Sequence, residues 1–149
     1  MRYLLDTNVF REIGKTDPHR HVAAWLARVD DADLAVSALT VREVRKGIVR
    51  LRSRKPDVAD RIEARVNEAF AAFGERLLAV GREVAELWGE LLAESEKHVD
   101  DTGLAATARV HGLVLVTRNL DHVAGRGAET LDPYTRSPTV NRVSGEGIR

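Results

Sequence analysis

Short apolar runs alternate with longer amphipathic segments along this chain. Continuous aliphatic runs predict buried strands at residues 3–5, 34–36, 77–80 and 113–117, with a weaker strand at 129–131. Apolar residues spaced three and four apart predict helices at residues 8–13, 21–29, 56–73, 84–95 and 101–111. Another helix, with its apolar stripe in residues 41–51, follows a cap at Ser37 or Thr40. This alternation predicts an α/β sandwich with a mostly parallel central sheet.

One domain accounts for the whole pattern. The chain has 149 residues, of which 44% are hydrophobic and 31% charged, values typical of a globular protein with a single core. Periodicity fades after Pro133, so we expect a domain at residues 1–135 and a flexible C-terminal tail at residues 136–149. No run approaches the roughly 18 apolar residues of a membrane span. We therefore expect no membrane association, and the absence of cysteine is consistent with a cytoplasmic protein.

The formal net charge is zero, because 23 basic residues balance 23 acidic ones. This balance hides a basic segment at residues 42–55, in which Glu43 is the only acid. Such a segment could bind RNA phosphates, form a solvated helix face or dock a protein partner. Arg42, Arg45 and Lys46 are the candidate RNA contacts within it.

The predicted topology brings polar side chains from distant parts of the chain together. Asp6 directly follows a strand, and Asn119 lies two residues beyond another. Glu43 is expected in the first turn of its helix, and Asp101 at the start of another. Strand ends and helix starts meet at the same edge of a parallel sheet, where ligands bind. We therefore expect these four side chains to face one crevice.

A crevice lined by carboxylates is suited to a divalent cation. Clustered carboxylates repel one another, and a bound cation relieves that repulsion. Oxygen ligands without cysteine favour Mg²⁺ or Mn²⁺ over Zn²⁺, and the five histidines show no spacing typical of metal ligands. A Mg²⁺ ion held by carboxylates is suited to phosphodiester hydrolysis.

Each of these residues also has an ordinary structural explanation. Asp6 and Asp101 are common types of helix N-cap, and the helix dipole favours acids at such positions. Glu43 lies off the apolar stripe of its helix and could simply face solvent. Asn119 is a typical turn residue after a strand. The residues taken singly leave these alternatives open.

Four sequence segments follow one another across the predicted domain. They are LLDTNV at residues 4–9, SALTVREVRKGI at 37–48, VDDTGLAATA at 99–108 and LVTRN at 115–119. Their order and spacing resemble the motifs of PIN domains, in particular those of the FitB-like branch of the VapC toxins of bacterial toxin–antitoxin pairs. One such motif would carry little weight, whereas four in order form a specific signal.

The resemblance implies a PIN-like three-layer α/β/α sandwich with the activity of a metal-dependent endoribonuclease. It assigns Asp6, Glu43 and Asp101 as the metal-binding acids, and Asn119 to a fourth catalytic position. The implied cofactor is Mg²⁺, for which Mn²⁺ is a substitute.

The resemblance also implies supporting residues and partners. Thr7 matches a hydroxyl that supports the first acid, and Asn8 belongs to the same motif. Arg118, beside the predicted site, is a candidate phosphate contact. The implied partners are an RNA substrate, a second copy of the chain, and a VapB-like antitoxin bound across the active cleft. Operator DNA would be reached only through that antitoxin.

The chain departs from the family pattern around the third motif. His98 stands where relatives often have proline, and Thr102-Gly103 replace an alanine and a larger apolar residue. Gly103 costs its helix roughly 1 kcal/mol relative to alanine, so it could loosen the helix or admit a partner closely. Asp100 and Asp121 are additional acids near the site. The sequence favours Asp101 as the ligand and leaves open whether Asp100 or Asp121 joins it.

Two other functions remain compatible with the sequence. One is a PIN-like regulatory binding module without catalytic activity, which the complete set of acids argues against. The other is a Mg²⁺-dependent DNA nuclease, because the chemistry alone does not distinguish DNA from RNA. The absence of a glycine-rich phosphate loop argues against the use of nucleoside triphosphates.

Overall fold

A six-stranded sheet forms the centre of the computed structural model, which describes residues 1–143. The strands are β1 (Tyr3–Leu5), β2 (Leu34–Ser37), β3 (Leu77–Leu78), β4 (Val114–Val116), β5 (Thr130–Leu131) and β6 (Val140–Asn141). Their order in the sheet is β3-β2-β1-β4-β5-β6, and the strands from β3 to β5 run parallel, whereas β6 is antiparallel to β5. The predicted mostly parallel sheet is therefore confirmed.

Helices connect and cover these strands. They are α1 (Thr7–Glu12), α2 (Arg20–Arg28), α3 (Ala38–Arg52), α4 (Pro56–Phe73), α5 (Arg82–Glu94) and α6 (Val99–His111). Short 3₁₀ turns lie at Asp31–Asp33, Gly74–Arg76 and Leu120–Val123. None of the helices within residues 1–143 combines the length and the apolar character needed to cross a membrane.

The sheet separates two hydrophobic cores because successive strand residues face opposite sides. Tyr3 and Leu5 belong to one core, with side chains from α1, α2, α3 and α4. Leu4 belongs to the other core, with Leu104 of α6 and Leu39 of α3. A further apolar cluster packs α5 on the outside of α6. Helices on both faces of the sheet confirm the expected three-layer α/β/α sandwich.

The start of α3 is decided by its cap. Ser37 terminates β2, and its hydroxyl accepts a hydrogen bond from the backbone N–H of Leu39 at 3.1 Å. Of the two predicted caps, Ser37 is therefore the one used, whereas Thr40 is buried inside the helix. Because α3 begins at Ala38, Glu43 lies in its second turn, and the expectation of the first turn was wrong.

The segment predicted as a tail contains a short strand that the sequence pattern did not predict. In β6, Val140 pairs with Leu131 and Asn141 pairs with Thr130. The side-chain amide of Asn141 also donates to the hydroxyl of Thr130 at 3.3 Å. A strand of two residues has no periodicity by which a sequence could reveal it. Residues 144–149 of the predicted tail lie outside the described part of the chain.

Gly103 allows α6 to pack closely against its neighbours. A Cβ atom at this position would lie 2.8 Å from the indole ring of Trp88 and 2.8 Å from Cδ1 of Leu39. The indole cannot easily move away, because its Nε1–H donates to the carbonyl of Val99 at 2.9 Å. Of the two roles considered for Gly103, the structure shows the close approach, which is a contact of α6 with α5 and α3 inside this chain.

We expect Gly103→Ala to lower the free energy of unfolding by about 1–2 kcal/mol, although alanine is the better helix former. The added methyl group must displace a rigid indole ring, and this overpacking outweighs the gain in helix propensity. Urea denaturation followed by far-ultraviolet circular dichroism measures the change.

Gly89→Ala is the matched control, because Gly89 is an exposed residue of α5 whose Cβ would meet nothing within 4 Å. This substitution should raise the free energy of unfolding by up to about 1 kcal/mol. Equal stabilisation by both substitutions would contradict the packing role assigned to Gly103.

Candidate metal centre

One pocket collects polar side chains that are distant in sequence. It lies where β1 and β4 end and has a volume of about 250 Å³. The residues that line it are Asp6, Thr7, Asn8, Glu43, Asp100, Asp101, Leu104, Asn119 and His122. The structure therefore brings together Asp6, Glu43, Asp101 and Asn119, the four residues that the predicted topology directs to a common crevice.

Asp6 is the most deeply buried acid of this pocket, with 2% of its surface exposed. Its Oδ1 accepts the backbone N–H of Val9 at 2.9 Å, so that the side chain caps α1. Its Oδ2 accepts the hydroxyl of Thr117 at 2.5 Å. The carboxylate is thus both a helix cap and part of the pocket wall, and two donors fix its orientation.

The hydroxyl that supports Asp6 belongs to Thr117 and not to Thr7. The hydroxyl of Thr7 instead lies 3.2 Å from the hydroxyl of Thr40, and this buried pair links α1 to α3. Thr117 also accepts the backbone N–H of Asn119 at 3.0 Å. The end of β4 is thereby tied to the end of β1 through side chains as well as through the sheet.

The two acids at the start of α6 have different partners. Asp100 forms an ion pair with Arg42 of α3, with an N–O distance of 2.5 Å. Asp101 is partly buried, and its Oδ2 lies 2.9 Å from Nδ1 of His122. Because α6 begins at Val99, Asp101 is its third residue rather than its first. Within the described residues, Asp100 is therefore paired with an arginine, whereas the only basic side chain that contacts the carboxylate of Asp101 is a histidine.

The remaining two predicted residues complete the wall of the pocket. Glu43 projects from the second turn of α3 and is only partly exposed, so it faces the cleft and not open solvent. Asn119 precedes the short turn at Leu120–Val123 but does not cap it through its side chain within the described residues. A role as a simple turn or cap residue therefore does not explain why the side chain of Asn119 lines the pocket.

The pocket is electrostatically unbalanced. Burial raises the pKa of Asp6 above its usual range, and the nearby charges of Asp101 and Glu43 raise it further. The hydrogen bonds from Thr117 and from the Val9 amide act in the opposite direction but do not cancel the rise. Within residues 1–143, no lysine or arginine lines the pocket. This is an arrangement that a bound cation would stabilise.

The predicted basic contacts lie outside the pocket. Arg42 pairs with Asp100, and Arg45 pairs with Glu63 of α4. Lys46 is exposed on α3.

Arg118 is also exposed, and its guanidinium lies over the ring of Tyr134, with its carbon 4.1 Å from the ring centroid.

Two histidines adjoin the acids, although the sequence showed no ligand spacing among the histidines. The rings of His98 and His122 stack with centroids 3.9 Å apart, and one ligand atom from each comes within 4.8 Å of an Asp101 oxygen. The sequence features that could have drawn attention to these histidines were the three-residue spacings from His98 to Asp101 and from Asn119 to His122. Asp121 lines an adjacent pocket with both histidines.

Comparison with known proteins agrees with this architecture. A model of the PIN domain matches residues 3–125 of the chain. VapC ribonuclease Y4jK of Sinorhizobium fredii is 30% identical over an alignment of 138 positions, which covers 88% of this chain and 96% of that protein.

Solved structures show the same similarity. The crystal structure of FitAcB from Neisseria gonorrhoeae matches with a TM-score of 0.72 and 29% identity, covering 89% of this chain and 98% of that chain. A toxin-antitoxin complex from Klebsiella pneumoniae matches with a TM-score of 0.66 and 25% identity, again covering 89% of this chain and 98% of that chain.

The layered sheet, the acids at its carboxyl edge and the match over residues 3–125 define the class: the chain belongs to the PIN-domain family. Within that family its relatives are VapC-type toxins of toxin–antitoxin systems, including proteins named as ribonucleases. The resemblance found in the sequence is therefore confirmed.

We expect Asp6→Asn to raise the stability of the metal-free protein at neutral pH by on the order of 1 kcal/mol, or about 2–4 °C in Tm. The pKa of Asp6 is higher in the folded than in the unfolded chain. The folded state therefore holds the proton more tightly, and the unfolding free energy falls as pH rises from the unfolded toward the folded pKa. Asparagine has nearly the same shape as aspartate but does not ionise, so the variant avoids this loss of stability at neutral pH.

The pH dependence of Tm with excess chelator present provides the measurement. The advantage of Asp6→Asn should shrink as pH falls below the pKa of an unfolded aspartate, where Asp6 is neutral in both states. A variant that is less stable than the wild type throughout this range would show that the charge of Asp6 is fully compensated in the fold.

Proposed function

We propose that this protein is a Mg²⁺-dependent endoribonuclease that acts as the toxin of a toxin–antitoxin pair. The observation that carries the proposal is the carboxylate of Asp6, which is 2% exposed and lies in a pocket shared with Glu43 and Asp101. Such a cluster is costly in a protein unless a cation balances it. A relative with 30% identity is named as a ribonuclease, which favours RNA over DNA.

The donor set of the pocket fits Mg²⁺. Carboxylate oxygens from Asp6, Glu43 and Asp101 would hold the ion, and Asn119 would assist directly or through water. Oxygen donors of this kind suit Mg²⁺, with Mn²⁺ as a substitute. When bound, such an ion supplies Lewis-acid stabilisation of charge on the phosphodiester and lowers the pKa of water at the site.

The residues around the acids hold them in place before any ligand arrives. The hydroxyl of Thr117 and the amide of Val9 orient the Asp6 carboxylate, and the imidazole of His122 orients that of Asp101. Asp100 is occupied by Arg42, which supports Asp101 as the acid available for ligation. Ligands fixed in this way need little rearrangement, and such supporting contacts commonly affect metal affinity tenfold or more.

Basic side chains near the pocket are candidates for binding the RNA backbone. Arg118 is adjacent in sequence to Asn119, and one face of its guanidinium rests on Tyr134 while the side chain stays exposed. Arg42, Arg45 and Lys46 project from exposed positions on α3, next to Glu43. Arginine and lysine at such positions supply affinity for phosphates without reading the base sequence.

Cleavage of a single-stranded RNA in the presence of Mg²⁺ or Mn²⁺ tests the assignment. We expect Asp6→Asn and Asp101→Asn each to reduce the rate by at least about 100-fold, because each removes a charge that holds the ion. Glu68→Gln, which changes an exposed acid of α4 outside the pocket, is the control and should retain the wild-type rate.

Undiminished cleavage by either aspartate variant would refute the assignment. A DNA of the same sequence, assayed in parallel, separates the ribonuclease from a DNA nuclease. A Mn²⁺ titration followed by Tm separates an enzyme from a silent module without a metal site. A ligand at 100 times its Kd stabilises a fold by about 2.7 kcal/mol, and Asp6→Asn should abolish that rise.

The toxin part of the proposal points to a second groove along α3, which this helix forms together with residues of α1 and α4. Its volume is about 350 Å³, and its floor is apolar. The apolar residues are Val44, Ile48, Leu51, Ile62 and Val66, and the basic residues around them are Arg11, Lys15, Arg54 and Arg65. An apolar floor with a basic rim fits an amphipathic segment that carries acidic residues. We assign the groove to the cognate antitoxin, since one related structure is a toxin-antitoxin complex. This position differs from the one across the active cleft that the sequence resemblance implies, because the groove and the acidic pocket have no lining residue in common among the described residues.

Gly47→Phe tests this assignment. Gly47 lines the groove in the middle of α3, and its Cβ would only touch the guanidinium of Arg11, at 3.5 Å. A phenyl ring there should fill part of the groove and weaken antitoxin binding by at least about tenfold, while metal-dependent RNA cleavage continues. Calorimetry with a candidate antitoxin, taken from any short reading frame found next to this gene, measures the affinity.

Gly89→Phe, at an open position on α5, is the matched control and should bind as the wild type does. Equal affinities for Gly47→Phe and Gly89→Phe would exclude the groove as the docking site while leaving the nuclease assignment intact.

A further inference from the structure

A second set of metal-ligating atoms adjoins the acidic pocket. His98, Asp101 and His122 each offer one ligand atom, and these atoms all lie within 4.8 Å of one another. Asp101 and His122 line the acidic pocket, whereas His98 and His122 line the neighbouring pocket of about 380 Å³. The three side chains therefore form the wall between the two pockets, and the two imidazoles add nitrogen donors to the oxygen donors of the acids.

The backbone around His98 is held in an unusual conformation. His98 precedes α6 with a φ of 52°, and within residues 1–143 it is the only residue other than glycine in the left-handed region. Such a conformation is unfavourable for most side chains and persists where the surroundings impose it. Here the fully buried Thr102 contributes, because its hydroxyl donates to the carbonyl of His98 at 2.8 Å.

A buried arginine joins the segments that carry the two histidines. Arg126 is 6% exposed and follows the turn that contains His122. Its guanidinium donates to the carbonyls of Leu91 at 2.6 Å, Ser95 at 2.7 Å and Lys97 at 3.2 Å. These hydrogen bonds therefore connect the turn that precedes His98 to the segment that follows His122. This anchorage is what keeps the two imidazoles together.

We propose that His98, His122 and Asp101 bind a divalent transition-metal ion of the Zn²⁺ class, and that this ion competes with Mg²⁺ for Asp101. Two imidazole nitrogens and one carboxylate form a set that Zn²⁺ accepts with a fourth position open. The same set is poor for Mg²⁺, which prefers oxygen donors. Binding requires only that the exposed ring of His98 turn a nitrogen toward the ion from its stacked position.

The first part of the proposal does not depend on the second. Zn²⁺ binding concerns the folded protein alone and holds whatever reaction the acidic pocket performs. Competition with Mg²⁺ rests on the proposed function, because it requires Asp101 to serve the acidic pocket as well. Asp101 is suited to the shared role, since it lines that pocket while one of its oxygens contacts His122.

Zn²⁺ binding to the folded, tag-free protein, measured by competition with a chromophoric chelator, tests the first part. We expect His98→Asn and His122→Asn each to weaken Zn²⁺ binding by at least about tenfold, since each removes one of three ligands. Asparagine at residue 98 tolerates the left-handed backbone and so preserves the turn. His111→Asn, at an exposed position near the end of α6, is the matched control and should bind Zn²⁺ as the wild type does.

Co²⁺ provides a second readout that does not depend on stability. Its visible absorption should report nitrogen ligation in the wild type and in His111→Asn, and should lose intensity in His98→Asn. Circular dichroism checks that each variant is folded. Wild-type Zn²⁺ affinity in folded His98→Asn would overturn the site, as would an equal loss in the His111→Asn control.

RNA cleavage with Mg²⁺ at fixed concentration tests the second part. Zn²⁺ should inhibit the wild type, excess Mg²⁺ should relieve that inhibition, and His98→Asn should need at least about tenfold more Zn²⁺ for the same effect. Zn²⁺ that binds without inhibiting would overturn the competition and leave the binding site standing. If the wild type cleaves no RNA, the proposed function fails, and competition between Mn²⁺ and Zn²⁺ in the chelator assay decides whether Asp101 is shared.

Discussion

The acidic centre depends on the burial of one carboxylate at the end of the central strand. Asp6 is almost wholly removed from water, yet the fold meets it with two neutral donors instead of a cation. Both carboxylate oxygens of Asp6 accept a hydrogen bond, but no positive charge within residues 1–143 balances the carboxylate. The two hydrophobic cores on either side of β1 stabilise a fold that tolerates this local cost. The described fold thus contains a buried negative charge without a cationic partner, and a bound cation would balance it.

Much of this arrangement could be predicted because it follows from topology. Parallel strands end at the same edge of a sheet, so residues that follow strands, such as Asp6 and Asn119, must come close together. The apolar face of α6 likewise predicts that Asp101 points inward. The position of Glu43 was less certain, because serine and threonine are both favoured as caps and the first residue of α3 depends on which one is used.

Other features depend on side-chain directions that no periodicity encodes. His98 and His122 meet only because one turn adopts a left-handed conformation and a buried arginine fastens it. In the sequence Thr117 looks like an ordinary strand residue, so nothing there marks it, rather than Thr7, as the residue whose hydroxyl donates to Asp6. A single glycine inside α6 left open a looser helix or the close approach of a partner, and the structure shows close packing against the indole of Trp88 in the same chain.

The bond between Asp6 and Thr117 joins residues separated by 111 positions, and this separation has a consequence for synthesis of the protein. The ribosome releases β1 early, whereas β4, its neighbour in the sheet, emerges only after most of the chain has been made. No nascent fragment that ends before residue 117 can assemble the acidic centre. Contacts this distant in sequence also slow folding. A protein capable of harming its own cell would therefore acquire that capacity only near the completion of translation.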